Sequence, residues 1–292
     1  MSSLHTVLCF GEILWDLTPK GLFLGGAPTN VAYHLHKLGL RSLPVTAVGN
    51  DYLGEEIIRR VAAWGVETAL IGLISEKRTG VVSVDLTDAG NPSYEIADDV
   101  AWDFVPATVD LFSESKNADA IVFGSLALRH KPNRLLLDKL LAASGSLKVF
   151  DVNLRPPYFD IAQVLELARR ADLVKLNIDE LEILHPFAVG SLEVMAATFS
   201  DLIGGKQVCV TCGADGASYW DGHRWAKEDG RPITVSGDAV GAGDAFLAGL
   251  ISGLTARIPI EIALNRACRL AEIVAATDGA QPYYDASSFK AF

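Results

Sequence analysis

Between residues 119 and 211 four short apolar runs stand out: Ala120-Ile121-Val122-Phe123, Leu147-Lys148-Val149-Phe150-Asp151-Val152, Leu173-Val174-Lys175-Leu176 and Val208-Cys209-Val210-Thr211. Between them lie amphipathic stretches at 132–143, 161–170 and 192–202. Runs this short and apolar suit strands buried on both faces, and parallel strands need a crossover of helix length between them. The expected fold class is therefore α/β, with a mainly parallel sheet covered by helices on both sides in three layers.

Working outward, Thr6–Phe10 reads as a strand, 30–38 as a helix ending at Gly39, 43–48 as a strand, and 51–64 as a helix ending at Gly65. Asp51 suits the N-cap of that last helix, with Glu55 and Glu56 in its dipole-favoured early turns. From 80 to 104 the pattern changes to a β-hairpin around the turn-rich Asp88-Ala89-Gly90-Asn91-Pro92. With strand-like pieces at 12–17 and 22–24 it predicts a small sheet beside the main one. Helical patterns at 244–254 and 259–276 follow. No repeat or linker interrupts the chain, so one domain over 1–292 is expected, with lid elements at about 12–26 and 80–104.

The 292 residues can bury a large core. A net charge of −11 argues against an electrostatic nucleic-acid binder and an anionic membrane surface, because no excess of cations is available to displace phosphate counterions. No charge-free apolar run reaches the roughly 20 residues of a membrane-spanning helix. The first lysine is Lys20, so a basic export leader is not expected, and the setting reads as cytoplasmic. Cys9, Cys209, Cys212 and Cys268 read as reduced thiols. Cys209 and Cys212 lie three apart on a strand, which points them to opposite faces, and no second pair or nearby His completes a metal site.

Two glycine-bearing segments carry the chemistry. Asp238-Ala239-Val240-Gly241-Ala242-Gly243-Asp244 runs into an apolar helix. Small residues there let a substrate approach the backbone, and first-turn N–H groups lacking intrahelical acceptors can bind an anion. A carboxylate inside an anion hole repels phosphate unless it has a task, and accepting the proton of an attacking hydroxyl is one. Asp244 is thus the candidate base, and the N–H groups of Ala242 and Gly243 the expected phosphoryl donors. Read blandly, Asp244 is an N-cap and the glycines a turn. In the second segment, Gly25-Gly26-Ala27-Pro28-Thr29-Asn30, the glycines permit close approach and Asn30 offers a donor and an acceptor to a sugar hydroxyl, with Asp16 ahead of it. Neither a P-loop pattern nor a dinucleotide GxGxxG is present.

Together these segments resemble the ribokinase or PfkB family of carbohydrate and nucleoside kinases. Gly25, Gly26, Asn30, Gly39 and Gly49 match its N-terminal signature, and Asp238 with Gly241 to Asp244 its C-terminal one. Asp151-Val152-Asn153-Leu154-Arg155-Pro156, Asn177-Ile178-Asp179-Glu180, Thr211-Cys212-Gly213-Ala214-Asp215-Gly216 and Gly279-Ala280 resemble further family motifs in the family's order. The resemblance implies a ribokinase-like core with a small β-sheet lid, ATP and Mg2+ as cofactors, and a sugar as the other partner. It assigns Asp244, Gly241, Ala242, Gly243 and Arg155 to catalysis and Asp16, Gly25, Gly26 and Asn30 to the sugar. Asn177, Thr211, Gly213, Gly216, Gly241, Gly243 and Gly279 go to the nucleotide, and Glu180 and Asp238 to the metal. Ala239 departs from the family's usual Thr. A monovalent cation such as K+, and a homodimer formed through lid edges, stay open.

Gly11-Glu12-Ile13-Leu14-Trp15-Asp16 and the 25–30 segment are similar to those of fructokinases. Kinases for 2-keto-3-deoxygluconate usually carry an Arg in the lid hairpin, where this chain has Tyr94-Glu95-Ile96. The expectation is phosphorylation of fructose to fructose 6-phosphate. The alternatives are another kinase of the family, for ribose, 2-keto-3-deoxygluconate or a nucleoside, and a non-catalytic sugar sensor.

Overall fold

The computed structural model describes residues 4–85, 93–233 and 239–289. The first half of the chain contains β1 (Thr6–Phe10), β2 (Leu14–Thr18), β3 (Gly21–Gly25), α1 (Ala27–Lys37), β4 (Arg41–Gly49), α2 (Tyr52–Ala63), β5 (Ile71–Ile74), β6 (Gly80–Asp85), β7 (Ser93–Ile96), α3 (Val109–Asn117), β8 (Ala120–Gly124) and α4 (Lys131–Ala143). The second half contains β9 (Leu147–Asp151), α5 (Ile161–Arg170), β10 (Leu173–Asn177), α6 (Ile178–Leu184), α7 (Leu192–Leu202), β11 (Gln207–Thr211), β12 (Ala217–Trp220), β13 (Trp225–Glu228), α8 (Ala242–Thr255) and α9 (Ile260–Ala275).

Nine strands form the main sheet in the order β13-β12-β11-β10-β9-β8-β1-β4-β5. The seven from β11 to β5 run parallel, and β12 and β13 continue the β11 edge antiparallel. Successive residues on a strand face opposite sides. Leu8, Phe10, Ile121, Phe123, Phe150, Val174 and Leu176 accordingly enter one core, with α3 to α7. Val7, Cys9, Val122, Val149, Leu173 and Cys209 enter the other, with α1, α8 and α9. By the same parity Asp151 and Lys175 belong to the α1–α8–α9 side, where no apolar side chain of theirs fills the layer.

α8 and α9 pack closely because α8 is glycine-poor only where it can be. A Cβ on Gly249 would lie 2.8 Å from Ala267 Cα, and one on Gly253 2.6 Å from Ala263 Cβ. Neither contact atom belongs to a side chain that could swing aside, so a larger residue at either position would push α8 and α9 apart.

The second sheet has the order β3-β2-β6-β7, with β2 and β6 parallel and the outer pairs antiparallel. It grows from the chain just beyond β1 and beyond β5, so it stands at the C-terminal end of the parallel strands. The turn expected at 88–92 lies outside the described residues. Leu17, Leu22 and Phe23 of this sheet are exposed.

Every helix expected from the pattern is present, and α1 begins earlier than expected, at Ala27, with Pro28 in its first turn. Asp51 caps α2 by accepting from the Gly54 N–H at 2.8 Å. The β12–β13 hairpin, β5, α3 and α6 were not anticipated. The four cysteines are free, and Cys209 and Cys212 pack on opposite sides of the sheet. Among the described residues no helix is long and apolar enough to cross a membrane.

Candidate active site

In an open α/β sheet, ligands bind beyond the carboxyl ends of the strands. Here those ends deliver Glu12 after β1, Asp151 from β9, Asn177 from β10 and Thr211 from β11, while α1 and α8 add their N-terminal turns.

Gly241 caps α8 at φ 81°, a left-handed conformation, and a Cβ there would lie 2.6 Å from Ala280 Cβ. Glycine is needed on both counts. Ala239, at φ 55°, shares the tight turn. The Ala242 N–H donates to Ala239 O at 3.2 Å, closing that turn, so it differs from the expected free phosphoryl donor. Gly243 and Asp244 are the first-turn N–H groups without an acceptor among the described residues. Asp238, expected at the metal, lies outside the described residues.

Asp244 is buried and accepts from Asn30 Nδ2 at 2.7 Å through Oδ2, which joins the two glycine segments 214 residues apart. Burial, and then the negative charge of Asp151, push its carboxyl up to about 7; Asn30, Lys175 and Arg155 pull the other way. A carboxylate poised near neutrality suits general base work.

Beneath it lies a buried ion pair. Lys175 Nζ meets Asp151 Oδ1 at 2.9 Å, and both side chains are at most 8% exposed. A Cβ on Gly243 would come within 3.3 Å of that ammonium, which places the cation directly under the donor turn. Burial alone would lower the Lys175 ammonium, but Asp151, Glu180 and Asp244 outweigh it and hold it above its usual range. Asp151 Oδ2 is buried without a partner.

On the small-sheet side, Asp16 sits over Gly25: a Cβ there would lie 2.2 Å from Asp16 Oδ2. Burial raises Asp16 to about 6, against the pull of Arg155. Gly26, at φ 111°, caps α1, and a Cβ on it would meet Glu12 O at 2.4 Å. Glu12 is buried, receives the Ala27 N–H at 3.3 Å on Oε1, and leaves Oε2 unpartnered. Arg155 is exposed, and its charge reaches Glu12, Asp16 and Asp244 together.

Asn177 and Thr211 are register partners at the ends of β10 and β11. Asn177 and Glu180 form a reciprocal cap on α6, each side chain accepting the other's N–H at 2.8 Å. Glu180 also receives the Leu154 N–H at 2.8 Å, so both its oxygens are engaged by the backbone. Any metal contact from Glu180 therefore uses remaining lone pairs. Gly213 lies in a 3-10 turn at φ 56°, and Gly216 at φ 92° lets the chain after β13 pass, since a Cβ there would meet Glu228 O at 2.1 Å. Gly279, at φ 81°, is exposed after α9. A cavity of about 770 Å3 opens beside this turn, lined by residues including Ile178, Cys212, Asp215, Trp225 and Lys227. Neither Asp244 nor Asp16 lines it.

For Mg2+, the orphaned Asp151 Oδ2 is the feature that fits: a hard, hydrated cation near it would satisfy a buried oxygen. Asp98, Asp103 and His130 also cluster, but Arg129 already grips Asp103 through Nε and Nη2 at 2.9 and 2.8 Å. Sequence reasoning assigned no role to Glu12, Asp151, Lys175 or Gln281. A lysine inside the apolar run 173–176 was the available signal for one of them.

The sequence model described as pfkB family carbohydrate kinase matches residues 12–286. The fructokinase of Escherichia coli is 29% identical over 268 residues, 85% of this chain and 84% of that protein. A Pyrococcus horikoshii sugar kinase, solved in complex with ATP, superposes with a TM-score of 0.79 at 28% identity, covering 98% of this chain and 100% of that one. A Vibrio cholerae fructokinase, solved with fructose, ADP and calcium ion, gives a TM-score of 0.83 at 25% identity, with 99% of each chain covered.

Proposed function

The chain belongs to the pfkB family of carbohydrate kinases, and from that premise we propose that it transfers the γ-phosphoryl group of ATP to fructose, forming fructose 6-phosphate. The observation that carries the acceptor side is the set of carboxylates. Glu12, Asp16 and Asp244 share the field of Arg155, while Lys175 is sequestered by Asp151. An anionic sugar acid meets repulsion there, whereas neighbouring hydroxyls can donate to Asp16 and exchange hydrogen bonds with Asn30. The fructokinases among its relatives support the same choice.

The terminal hydroxyl of the ketose lies against Asp244, which takes its proton as the new oxygen–phosphorus bond forms and the bond to ADP breaks. Ionised Asp244 is required, and the Lys175 ammonium favours that form. The free N–H groups of Gly243 and Asp244 and the Arg155 guanidinium stabilise charge on the phosphoryl oxygens. Asn177, Thr211 and the 213–216 turn line the nucleotide side. Mg2+, when bound, offsets phosphate charge, and Asp151 and Glu180 are the residues that would hold it, through water. The small sheet carrying Asp16 covers the acceptor and excludes water, a competing acceptor.

The test is coupled ADP release across fructose, ribose, 2-keto-3-deoxygluconate and adenosine, with the product identified by 31P NMR. Fructose should give the highest kcat/KM and a 6-phosphate. Preference for ribose, the acid or the nucleoside would overturn the acceptor assignment, and sugar binding without any phosphate ester would reduce the chain to a sensor.

A further inference from the structure

Tyr33 and His34 of α1 hold the segment after α9 by three hydrogen bonds. Tyr33 Oη donates to Pro282 O at 2.7 Å, His34 Nε2 lies 3.0 Å from Ala280 O, and His34 Nδ1 lies 2.9 Å from Tyr284 Oη. A backbone carbonyl can only accept, so Nε2 carries the proton and Nδ1 accepts from Tyr284. Burial lowers the His34 pKa to about 4, which keeps the ring neutral and this tautomer in place.

Gln281 projects from the middle of that segment between two oxygens. Its Nε2 donates to Leu24 O of β3 at 2.9 Å and also to Asn30 Oδ1. The atom facing Leu24 O has to be the amide nitrogen. The same nitrogen can be met by Asn30 only with its oxygen, which turns the Asn30 NH2 toward Asp244 Oδ2. A single carbonyl on the small sheet thus decides the orientation of two amides and the nature of the contact made to the base.

We propose that Gln281 is a positioning residue that fixes the Asn30 amide and thereby ties the β3 strand to Asp244. The proposal rests on Asp244 being the base of the kinase reaction. Without Gln281 the Asn30 amide keeps only its bond to Asp244 and can turn over, and its oxygen facing Asp244 favours the protonated carboxyl, which can donate to it. The other charged groups acting on Asp244 are Asp151 from β9, Lys175 from β10 and Arg155 from the chain after β9. None of these is hydrogen-bonded to Gln281, so a change there reaches the base through Asn30.

The experiment is 13C-carboxyl NMR of aspartate-labelled protein, with the Asp244 resonance assigned by its loss in Asp244→Asn. In Gln281→Met the Asp244 midpoint should rise by about one pH unit, the scale of one charge-assisted hydrogen bond. The acid limb of kcat/KM should move with it, and the shift should vanish when Gln281→Met is placed in an Asn30→Ala background. Gln281→Glu, which cannot donate to Leu24 O, serves as the second variant and should shift in the same direction. Wild-type titration in both folded variants, or a shift that survives without Asn30, overturns the proposal. The titration needs no turnover, so failure of every sugar in the panel would sink the acceptor assignment while Gln281 is still judged by NMR.

Discussion

Lys175 Nζ and Asp151 Oδ1 lie 2.9 Å apart at register partners of adjacent parallel strands, both withdrawn from water under the first turn of α8. Two charges have been brought into a layer otherwise built from Val149, Leu173 and Cys209. Desolvating them is costly, and removing one partner strands the other. Lys175→Met should destabilise the protein by about 3–5 kcal/mol. Urea unfolding measures this, and Lys175→Met combined with Asp151→Leu should recover part of the loss. Equal stability of the single variant and wild type would show that the pair is dispensable.

Asp244→Asn should lower turnover by roughly two to four orders of magnitude, the scale of general base catalysis, with sugar affinity largely retained. In the wild type, activity should fall as pH drops below about 7, where the base becomes protonated. Near-normal turnover of the variant would take Asp244 out of this role.

The same carboxyl has a stability consequence of opposite convenience. Its folded pKa, about 7, is above the ordinary value of 3.8, so folding favours the protonated form. Its contribution is fully present below pH about 4 and is lost as pH rises through 7. Asp244→Asn should therefore raise Tm relative to wild type at pH 8 and lose that advantage toward pH 4. A Tm difference independent of pH would contradict the raised pKa.

Gly25→Ala places a methyl where Asp16 Oδ2 now sits, 2.2 Å from the ideal Cβ position. The carboxylate has to rotate away from the acceptor. Sugar KM should rise by roughly tenfold, the worth of one hydrogen bond to a charged group, with KM for ATP unchanged. Equal increases in both constants would point to general disruption of the site.

Arg129 binds the fully buried Asp103 through two nitrogens, reaches Ala97 O, and lies 4.2 Å over the Trp102 ring. Arg129→Met should cost about 3–5 kcal/mol by leaving the buried Asp103 carboxylate with only the Val100 N–H at 3.1 Å and the His130 ring at 3.8 Å, again read by urea unfolding. A Zn2+ or Mn2+ titration of that variant distinguishes a vacated cation site from a purely structural pair, and no binding is expected.

The alternation of strands and helices from 119 to 211 was legible because strands buried on both faces leave continuous apolar runs. Glycines 25, 26 and 241 were expected to let a substrate approach the backbone; in the fold each of them, and Gly216 of the turn after β11, has backbone or a carboxylate of this chain where a Cβ would stand. The β12–β13 hairpin was not, since strands of four residues containing Ser218, Lys227 and Glu228 show little periodicity. Lys175 was hidden in an apolar run because its cation is matched by Asp151, 24 residues away, and local pattern cannot register a partner at that separation. Ala242 was expected to offer a free N–H, and the left-handed turn at Ala239 uses it instead.

The clasp of residues 280–284 on α1 bears on how the enzyme is made. During vectorial synthesis the whole main sheet can emerge and pair before Gln281 leaves the ribosome, yet Asn30 has no oriented amide until it does. A nascent chain thus has its sheet complete before the Gln281 amide that meets Asn30 is made.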